Sequence, residues 1–451
     1  MKDVVIIGAG VTGLTTAHHL RKRNLDFMLL EQADRVGGVI HSVREIGFLY
    51  EEGPNSGVIS NVEVIRLFEE LTADCELEVA GDNVKRRYIL KAGKWEPLPG
   101  GVKAAVTTPL FTLGDKFRIL LEPFRPAGKN PHETLAGLVS RRLGKSFLDY
   151  AVDPFIIGVY AGDPSRLVPK YALPKLYNLE QKYGSFIGGT IKKQFQPKTE
   201  EEKKVTRGVF SVKGGFSSLI DALVKSVKKE RILLNCREVN VLPVANHYEV
   251  SYLDGEGERV TMKTKKVIST IGAHHLDQVM PFIEPALLSK ITALHYTKVL
   301  EIILGFKQWK GMKLDAFGGL IPFKENRDLL GVLFMSSLFS GRVPEGGALF
   351  SIFMGGVRRP DIYQLPESKV KDKLEREFCA IMQLERFQPD LLKIIHHAYA
   401  IPQYEADSGE RFNAVGEIGL KFPGLVIGGN LRDGIGMADR ILQAKKLSEE
   451  V

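Results

Sequence analysis

The chain has 451 residues, of which 44% are hydrophobic and 26% charged, and this composition excludes wholesale disorder and predicts a globular protein of two or three domains. The net charge of +8 favours anionic partners, whether phosphates, carboxylates, acidic lipid headgroups or nucleic acid, without choosing among them. Three widely spaced cysteines, Cys75, Cys236 and Cys379, exclude a disulfide framework and a zinc-binding pattern, and they predict a reducing compartment.

The sequence predicts neither a secretory signal nor a membrane span. The first strand begins at Val4 with no charged and apolar leader before it, and no window of about 18 uninterrupted apolar residues occurs. Binding to a membrane surface stays open.

The first elements predict a dinucleotide-binding, Rossmann-like fold. VVIIGAGVTGLTTAHHL reads as a β-branched strand that turns through glycines into a helix. Gly8, Gly10 and Gly13 match G-x-G-x-x-G, in which the glycines permit a tight turn, close approach to a pyrophosphate and close packing of the helix. The helix N-terminus offers unpaired N–H groups to phosphates. The next predicted strand, FMLLE, ends on Glu31, where the motif places the acceptor for ribose hydroxyls.

The residues after Glu31 distinguish between dinucleotides. EQADRVGGVI places Arg35, Gly37 and Gly38 directly behind the adenosine-binding strand, and it resembles the E-x-x-x-R-x-G-G extension of FAD-containing oxidoreductases of the amine oxidase superfamily. Arginine neutralises pyrophosphate charge, and a glycine pair lets the backbone approach the ligand. The extension therefore favours FAD over NAD.

Two further segments complete the predicted cofactor domain. KGGFSSLIDAL, ILLNCREVNVL and KVISTIGA read as a helix and two strands, and GLVIGGNLRDGIGMADRI (424–441) reads as a buried strand, a glycine turn and a helix. The superfamily resemblance points the N-terminus of that last helix at the flavin. It implies a mixed α/β fold with a discontinuous FAD domain (1–75, 205–285 and 400–451), a helical, membrane-associating and substrate-binding part (76–204) and a substrate-binding α+β domain (286–399).

Several stretches together resemble the oxygen-dependent protoporphyrinogen oxidases, a family of this superfamily, over nearly the whole chain. They are GPNS (53–56), DPFIIGVYAGDP (153–164), LLGVLF (329–334), GRVPEG (341–346) and IPQY (401–404). DPFIIGVYAGDP is the most specific, because the glycine motif is shared by many unrelated enzymes. Its apolar run holds no nucleophile and no histidine, and it predicts one wall of a substrate pocket.

The resemblance implies residues for both ligands. The predicted FAD-binding residues are Gly8, Ala9, Gly10, Val11, Thr12, Gly13, Glu31, Gln32, Arg35, Gly37, Gly38, Val39, Gly53, Pro54, Asn55, Ser56, Val239, Gly429, Ile435, Gly436, Met437 and Ala438. The predicted substrate-binding residues are Arg87, for a propionate, and Gly158, Phe317, Gly318, Leu320, Leu333 and Met354, for a tetrapyrrole ring. FAD is expected to be non-covalent, because no cysteine lies shortly before the C-terminal glycine segment.

The implied reaction is the oxidation of protoporphyrinogen IX to protoporphyrin IX in haem biosynthesis, in three two-electron steps, with O2 as acceptor and H2O2 as product. No catalytic side chain and no metal site are expected, because the flavin carries the oxidation. The adjacent histidine pairs are His18–His19, His274–His275 and His396–His397. They lack the i, i+4 spacing of metal ligands, and neighbours on a helix face different ways.

Two other functions stay open. Coproporphyrinogen III oxidase uses the same fold and flavin on a substrate with four propionates, and the GPNS form of the turn disfavours it only weakly. A flavin-stabilised binding protein without turnover is a remote alternative. A flavin amine oxidase with covalent flavin is disfavoured by the positions of the cysteines.

The segment 100–126 suggests a membrane surface as a partner. It interleaves apolar residues with Lys103, Lys116, Arg118 and Arg125, a pattern that fits an anionic bilayer surface and equally an ordinary amphipathic helix. The family resemblance implies peripheral attachment to the inner membrane from the cytoplasm, and a homodimer. Dispersed basic residues without a recognisable module disfavour nucleic acid.

Overall fold

The structure is a computed structural model that describes residues 1–81, 86–197 and 199–451, and only the backbone of Val102. The strands are β1 (Lys2–Ile7), β2 (Phe27–Leu30), β3 (Ser42–Glu45), β4 (Phe48–Glu51), β5 (Gly57–Val58), β6 (Leu77–Val79), β7 (Tyr88–Lys91), β8 (Lys94–Pro97), β9 (Val209–Val212), β10 (Ile232–Leu233), β11 (Arg237–Val244), β12 (His247–Leu253), β13 (Arg259–Ser269), β14 (Val299–Phe306), β15 (Gly318–Leu320), β16 (Leu329–Phe334), β17 (Ala348–Gly355), β18 (Leu391–His397) and β19 (Leu425–Ile427). The helices are α1 (Val11–Lys22), α2 (Val62–Glu70), α3 (Val102–Thr107), α4 (Leu113–Leu120), α5 (Leu135–Arg142), α6 (Lys145–Phe147), α7 (Asp153–Tyr160), α8 (Pro169–Ala172), α9 (Pro174–Tyr183), α10 (Phe186–Gln194), α11 (Glu200–Lys203), α12 (Ser217–Val227), α13 (Leu276–Val279), α14 (Pro285–Thr292), α15 (Met335–Leu338), α16 (Glu367–Met382), α17 (Ser408–Lys421) and α18 (Met437–Glu449).

The first sheet draws its strands from three distant parts of the chain. Its order is β10-β2-β1-β13-β12-β11, with β19 paired to β13. β10, β2, β1, β13 and β19 run parallel, and β11 to β13 form an antiparallel meander. Val4 and Ile6 of β1 pack into a core with α1, α12 and α18, whereas Val5 and Ile7 pack into a second core with α13, α14 and α17. Burial on both faces explains why β1 is a continuous apolar run.

The second sheet has the order β18-β14-β17-β16-β15-β7-β8. One face carries Leu300, Ile302 and Phe350 and joins α16 in an aromatic-rich core. The other face carries Ile303 and packs against Phe48 of the β3–β4 hairpin. Because both faces of the sheet are covered at β14, every residue of this strand is buried.

A helical part between β8 and β9 holds α3 to α11. Residues 153–160 of DPFIIGVYAGDP form α7, which has Pro154 in its first turn. Ala161 follows the helix in a left-handed conformation (φ +45°). The charged stretch 196–208, predicted as a loop, contains the short exposed helix α11, and Lys198 lies outside the described residues. None of the helices in the described ranges has both the length and the hydropathy that crossing a membrane requires. The predicted mixed α/β class is confirmed.

Candidate functional site

The turn between β1 and α1 has an open backbone at its centre. Gly8 adopts a φ of +101° and donates its N–H to the Leu30 carbonyl (2.8 Å), which anchors the turn on β2. A side chain on Gly13 would collide with the Gly8 carbonyl oxygen, so only glycine lets α1 pack this closely. A Cβ on Gly10, by contrast, would meet no atom within 4 Å. The space in front of Gly10 lies where the motif places a pyrophosphate.

Glu31 follows β2 and points back to the same turn. Its Oε2 accepts a hydrogen bond from the Ala9 N–H (2.7 Å) and its Oε1 one from the Ala33 N–H (3.0 Å). The carboxylate predicted to bind ribose hydroxyls therefore lies directly beside the glycine turn. Gln32 is exposed next to it, and Val239 is half-buried on β11.

Arg35 shapes the loop after β2. Its guanidinium donates to three carbonyls of that loop, those of Val36 (3.2 Å), Gly38 (2.9 Å) and Ile40 (3.2 Å). Gly37 donates its N–H to the Ala9 carbonyl (2.8 Å), which fixes the loop against the turn at Gly10. Arg35 thus holds the second glycine cluster in place, and its contact with a pyrophosphate stays a prediction.

The GPNS turn (53–56) lies against this loop. Gly53 has a φ of +152°, and a side chain there would collide with the carbonyl of Val39, whose own side chain is 67% exposed. Thr270, which the sequence analysis missed, joins β13 to the same edge, since its hydroxyl donates to the Gly8 carbonyl (3.0 Å). A Cβ on Gly429 would lie 3.0 Å from the Thr270 carbonyl oxygen. The first, middle and last segments of the chain therefore meet at one edge.

The C-terminal loop 429–436 leads into α18. Ile435 and Gly436 end the loop, and Met437 and Ala438 form the buried first turn of the helix. The buried Arg440 donates to three loop carbonyls, those of Gly429, Arg432 (2.8 Å) and Gly434 (2.8 Å). The Tyr404 hydroxyl donates to the Asn430 carbonyl (2.8 Å). The sequence did not indicate that Arg440 and Tyr404 support this loop, although both lie in motifs quoted above.

The turns after β1, β2, β13 and β19 follow the carboxyl ends of parallel strands, where open α/β sheets bind their ligands, whereas the GPNS turn follows the antiparallel strand β4 and lies against them. The predicted cofactor residues Val11 and Thr12 begin α1 there, and Pro54 and Ser56 are half-buried beside Asn55. An open backbone at Gly10, the Glu31 carboxylate and the N-termini of two helices suit a dinucleotide with an anionic centre. The residues present therefore fit a flavin dinucleotide.

Strand pairing decides which of the predicted ring-contacting residues share a face of the second sheet. Leu333 pairs with Gly318, and Gly331 pairs with both Leu320 and Phe353. Paired residues of antiparallel strands lie on one face, as do residues two apart. Leu320, Leu333 and Phe353 are half-buried. We call Gly318, Leu320, Leu333 and Phe353 the site face.

Met354 lies on the opposite face. It is paired with Leu300, is fully buried, and belongs to the core that α16 covers. The structure therefore places Met354 away from the residues that it was predicted to join, and it places Phe353 beside them. Phe353 and Met354 are neighbours on β17, which pairs regularly with β14, so their side chains lie on opposite faces of the sheet.

Gly158 brings α7 onto the site face. A Cβ on Gly158 would lie 2.7 Å from Cδ2 of Leu320, so the missing side chain lets the helix and the strand come close. Asp153, at the start of the same helix, accepts a hydrogen bond from the Phe323 N–H (2.9 Å) and pairs with Arg358. Gly158 and Asp153 thus hold α7 against β15 and against the segments that follow β15 and β17.

Arg87 lies at the edge of the second sheet, over Phe317. Its guanidinium carbon is 5.2 Å from the centre of the Phe317 ring, and the residue is exposed to solvent. Within residues 1–81, 86–197 and 199–451 no carboxylate pairs with it, whereas its neighbour Arg86 pairs with Asp315 (3.1 Å). A cation beside an apolar face suits an anionic group on an apolar ligand.

The prediction that adjacent histidines cannot converge is wrong for His18 and His19. Both are buried, and their ring nitrogens lie with a Glu70 carboxylate oxygen within 4.8 Å of one another. However, His18 is already bonded to Ser226 (2.6 Å) and Glu70 (2.7 Å), and Lys22 also pairs with Glu70. Burial lowers the pKa of His19 to about 4. The Glu70 carboxylate is therefore already bonded to His18 and Lys22.

Comparison with known proteins agrees with this geometry. Residues 11–430 match the model of the family described as flavin containing amine oxidoreductase. The chain is 28% identical to the mitochondrial protoporphyrinogen oxidase of Nicotiana tabacum, over 96% of this chain and 91% of that one. It is 25% identical to coproporphyrinogen III oxidase of Bacillus subtilis, over 98% and 96%. A crystal structure from Exiguobacterium sp. 255-15, described as a candidate protoporphyrinogen oxidase, superposes with a TM-score of 0.81 at 21% identity, over 99% and 98%. The chain therefore belongs to the flavin-containing amine oxidoreductases.

Proposed function

We propose that the protein binds FAD without a covalent bond and oxidises a porphyrinogen in haem biosynthesis, and that the substrate is protoporphyrinogen IX. The bound flavin would accept two electrons in each of three rounds and pass them to O2, which gives H2O2. The residues of this chain would orient the ring, exclude water from it and hold its propionates. Two relatives are named protoporphyrinogen oxidase and coproporphyrinogen III oxidase, which supports this substrate class.

The observation that carries the proposal is the site face beside α7. Three half-buried apolar side chains offer a flat surface, and Gly158 lets the helix backbone close against it. Arg87 stands at the edge with Phe317 beneath its guanidinium. An apolar surface with one cation at its rim suits a flat macrocycle with carboxylates on one edge.

Turnover of purified, FAD-loaded protein on protoporphyrinogen IX and on coproporphyrinogen III would test the proposal. Without O2, porphyrinogen is expected to bleach the visible absorbance of the flavin, and with O2 it is expected to yield porphyrin and H2O2. Faster turnover of coproporphyrinogen would assign the second substrate. Flavin that stays yellow with both would indicate a binding protein without turnover.

Coproporphyrinogen III is the second candidate, supported by the Bacillus subtilis relative. Its four propionates need more cations than Arg87 alone. Lys324 and Arg358 lie near α7, but Arg358 pairs with Asp153 and Lys324 with Asp149 (3.3 Å). Because these cations are already neutralised, the described residues favour the substrate with fewer carboxylates.

Replacing Arg87 by alanine is expected to raise KM for the porphyrinogen about tenfold to hundredfold, because a charge-assisted hydrogen bond is lost. The kcat should change little. The matched control is Arg86→Ala, which removes a neighbouring arginine that is already paired with Asp315. Equal effects of the two substitutions on KM would contradict the assignment of Arg87.

Attachment of the flavin by a cysteine is disfavoured by the state of the thiols. Cys75 and Cys236 are buried, and burial raises the pKa of each thiol to about 11. Burial also raises the pKa of Cys379, which packs against the core under α16. Since the thiolate is the nucleophile, these residues are poorly suited to bond the flavin. Acid precipitation should release all the flavin into the supernatant.

We also propose that the protein docks on a membrane. The exposed apolar side chains of segment 100–126 support this better than its cations do. Lys116 donates to the carbonyls of Val106 (2.7 Å) and Thr108 (2.9 Å), and Arg118 donates to that of Ser140 (2.9 Å). These two cations thus hold helices together. The exposed apolar side chains nearby are Leu113, Phe117, Leu120, Leu121 and Phe124. We call them the apolar patch, and it supports docking on a membrane surface. Attachment to the cytoplasmic side of the inner membrane stays a prediction of the family resemblance.

The double substitution Phe117→Ser, Phe124→Ser is expected to lower co-sedimentation with anionic phospholipid vesicles at least about tenfold, because each phenyl ring buried in lipid contributes about 1.5–3 kcal/mol. Leu420→Ser is the control, since Leu420 is 85% exposed on α17, outside the apolar patch. If both variants bind vesicles like the wild type, the apolar patch is not the docking surface. Homodimerisation stays a prediction of the family resemblance, to be measured by light scattering.

A further inference from the structure

Glu301 is a carboxyl group buried in the middle of the second sheet. It lies on β14, is 0% exposed, and points to the same side as the site face, because its strand partner is Phe353. Its Oε1 accepts a hydrogen bond from Nδ2 of Asn55 (2.6 Å), and its Oε2 is 2.9 Å from Nε2 of His397. A carboxyl group this deep is costly to leave without partners, and both of its oxygens are bonded.

Asn55 connects Glu301 to the GPNS turn. The Asn55 Nδ2 also donates to the Gly53 carbonyl (3.1 Å), and its Oδ1 accepts from the Ser351 hydroxyl (2.6 Å). Because every polar atom of the amide has a partner, its orientation is fixed from the second sheet. The turn beside the open glycine edge is therefore held by Glu301 and Ser351.

The surroundings of Glu301 favour a proton there. Burial raises the pKa of Glu301, and the hydrogen bonds from His397 and Asn55 oppose that rise without cancelling it. The negative charge of the nearby Glu51 raises it further, although Glu51 is itself paired with Arg342 (2.9 Å).

The other charges that face this site do not neutralise Glu301. Lys393 of β18 lies on the same face but pairs with Glu45 (2.9 Å). His397 is the only basic side chain among the described residues that bonds Glu301, and it is 21% exposed. His397 thus gives a proton a path between Glu301 and solvent.

We propose that Glu301 is a positioning residue that shares one proton with His397 and, through Asn55, sets the turn 53–56 against the flavin. In the flavin-bound protein this pair would couple the order of the turn to pH. The inference rests on the proposed FAD site but on no particular substrate. Neither Glu301 nor His397 is offered as a base for the reaction, so the expectation of flavin-driven chemistry is kept.

The test compares wild-type protein with Glu301→Gln, which keeps an acceptor for Asn55 but cannot titrate. A group whose pKa is raised on folding contributes stability that is fully present at low pH and is lost as pH rises through its folded value. Because the folded pair keeps one proton that the unfolded chain releases from its histidine, we expect the folding equilibrium of the wild type to weaken relative to Glu301→Gln by up to about tenfold per pH unit above the ordinary range of a histidine, followed by a plateau. Thermal unfolding across pH measures this, without FAD or substrate.

Three more variants separate positioning from simple packing. Glu301→Leu is expected to weaken FAD binding about tenfold, because Asn55 loses its partner, whereas Glu301→Gln should stay within about twofold of the wild type. His397→Gln should shift the pH at which the proton is lost upward, since it removes a hydrogen bond that lowers the pKa of Glu301. Glu377→Gln, a buried carboxylate of α16 that accepts from the Asp328 and Leu329 N–H groups, should bind FAD like the wild type.

Flavin fluorescence gives the affinities without any porphyrinogen, so failed turnover leaves this test intact. An infrared band of a protonated carboxyl group that is present in the wild type and absent in Glu301→Gln would support the shared proton. A wild-type stability profile that differs from that of Glu301→Gln by a constant at every pH would overturn it. Unchanged FAD affinity in Glu301→Leu would overturn the positioning role.

Discussion

Alanine in place of Gly13 is expected to abolish the folded nucleotide turn and lower FAD affinity at least about a hundredfold, equivalent to about 2.7 kcal/mol. The new Cβ would overlap the Gly8 carbonyl oxygen, so α1 must move off β1 and carry its N-terminal N–H groups away from the ligand. Apoprotein stability should fall too, because α1 packs in the core with α12 and α18. FAD titration and thermal unfolding of the apoprotein measure the two effects.

Gly10→Ala is the matched control, because a Cβ on Gly10 would meet no protein atom within 4 Å. The apoprotein should therefore unfold at the wild-type temperature. FAD binding should nevertheless be lost, since the methyl group would enter the space assigned to the pyrophosphate. Wild-type FAD affinity in Gly10→Ala would show that the ligand lies elsewhere.

Glu122→Ala is expected to destabilise the helical part of the protein by about 1.5–3 kcal/mol, because it removes the nearer of the two buried carboxylates that pair with Arg142 and leaves only Glu180, 3.4 Å away. Both side chains are fully buried, and Nε of Arg142 donates to Glu122 at 2.8 Å. Glu122 also accepts from the Ser185 hydroxyl (2.6 Å) and the Phe186 N–H (2.9 Å), where α10 begins. One carboxylate therefore joins α5 to the start of α10.

The pH dependence of this effect has a definite sign. Burial alone would raise the pKa of Glu122, but hydrogen bonds from Ser185, Phe186 and Arg142 together lower it. A lowered pKa contributes stability above the ordinary glutamate range that is lost as pH falls through the folded value. The gap between wild type and variant should thus close in acid. Hydrogen exchange in α5 and α10 localises it, and Glu417→Ala, which breaks the exposed pair with Lys421, should change neither helix.

The cofactor turns were predictable from the sequence because their signal is local. Gly8 and Gly13 are required by backbone geometry within a few residues, and Glu31 follows the strand next to them. A motif this short in the chain can be recognised in a single sequence. The predicted helix and strands of the middle segment are found as α12, β10 to β11 and β13, although β12 between them was not predicted.

The supports of the site were not predictable, because their partners are distant in the chain. Glu301 and Asn55 are 246 residues apart, and nothing in the apolar strand around Glu301 indicates which side chain meets it. The sequence around Arg440 predicts an ordinary helical arginine, and only the fold brings the loop carbonyls to its guanidinium. Phe353 and Met354 are adjacent on one strand, and only the pairing of that strand shows which of the two lies on the site face.

The union of both chain ends in the first sheet has a consequence for biogenesis. Arg23, just after α1, donates to the carbonyl of Val451 (2.9 Å) across 428 residues, and β19 pairs with β13 only after most of the chain is made. Contacts so far apart in sequence are slow to form and leave strand edges uncovered on the ribosome. The nucleotide half would therefore close only after residues 425–451 have been made. FAD would load after translation, and a shortage of flavin in the cell would surface as aggregation of newly made chains.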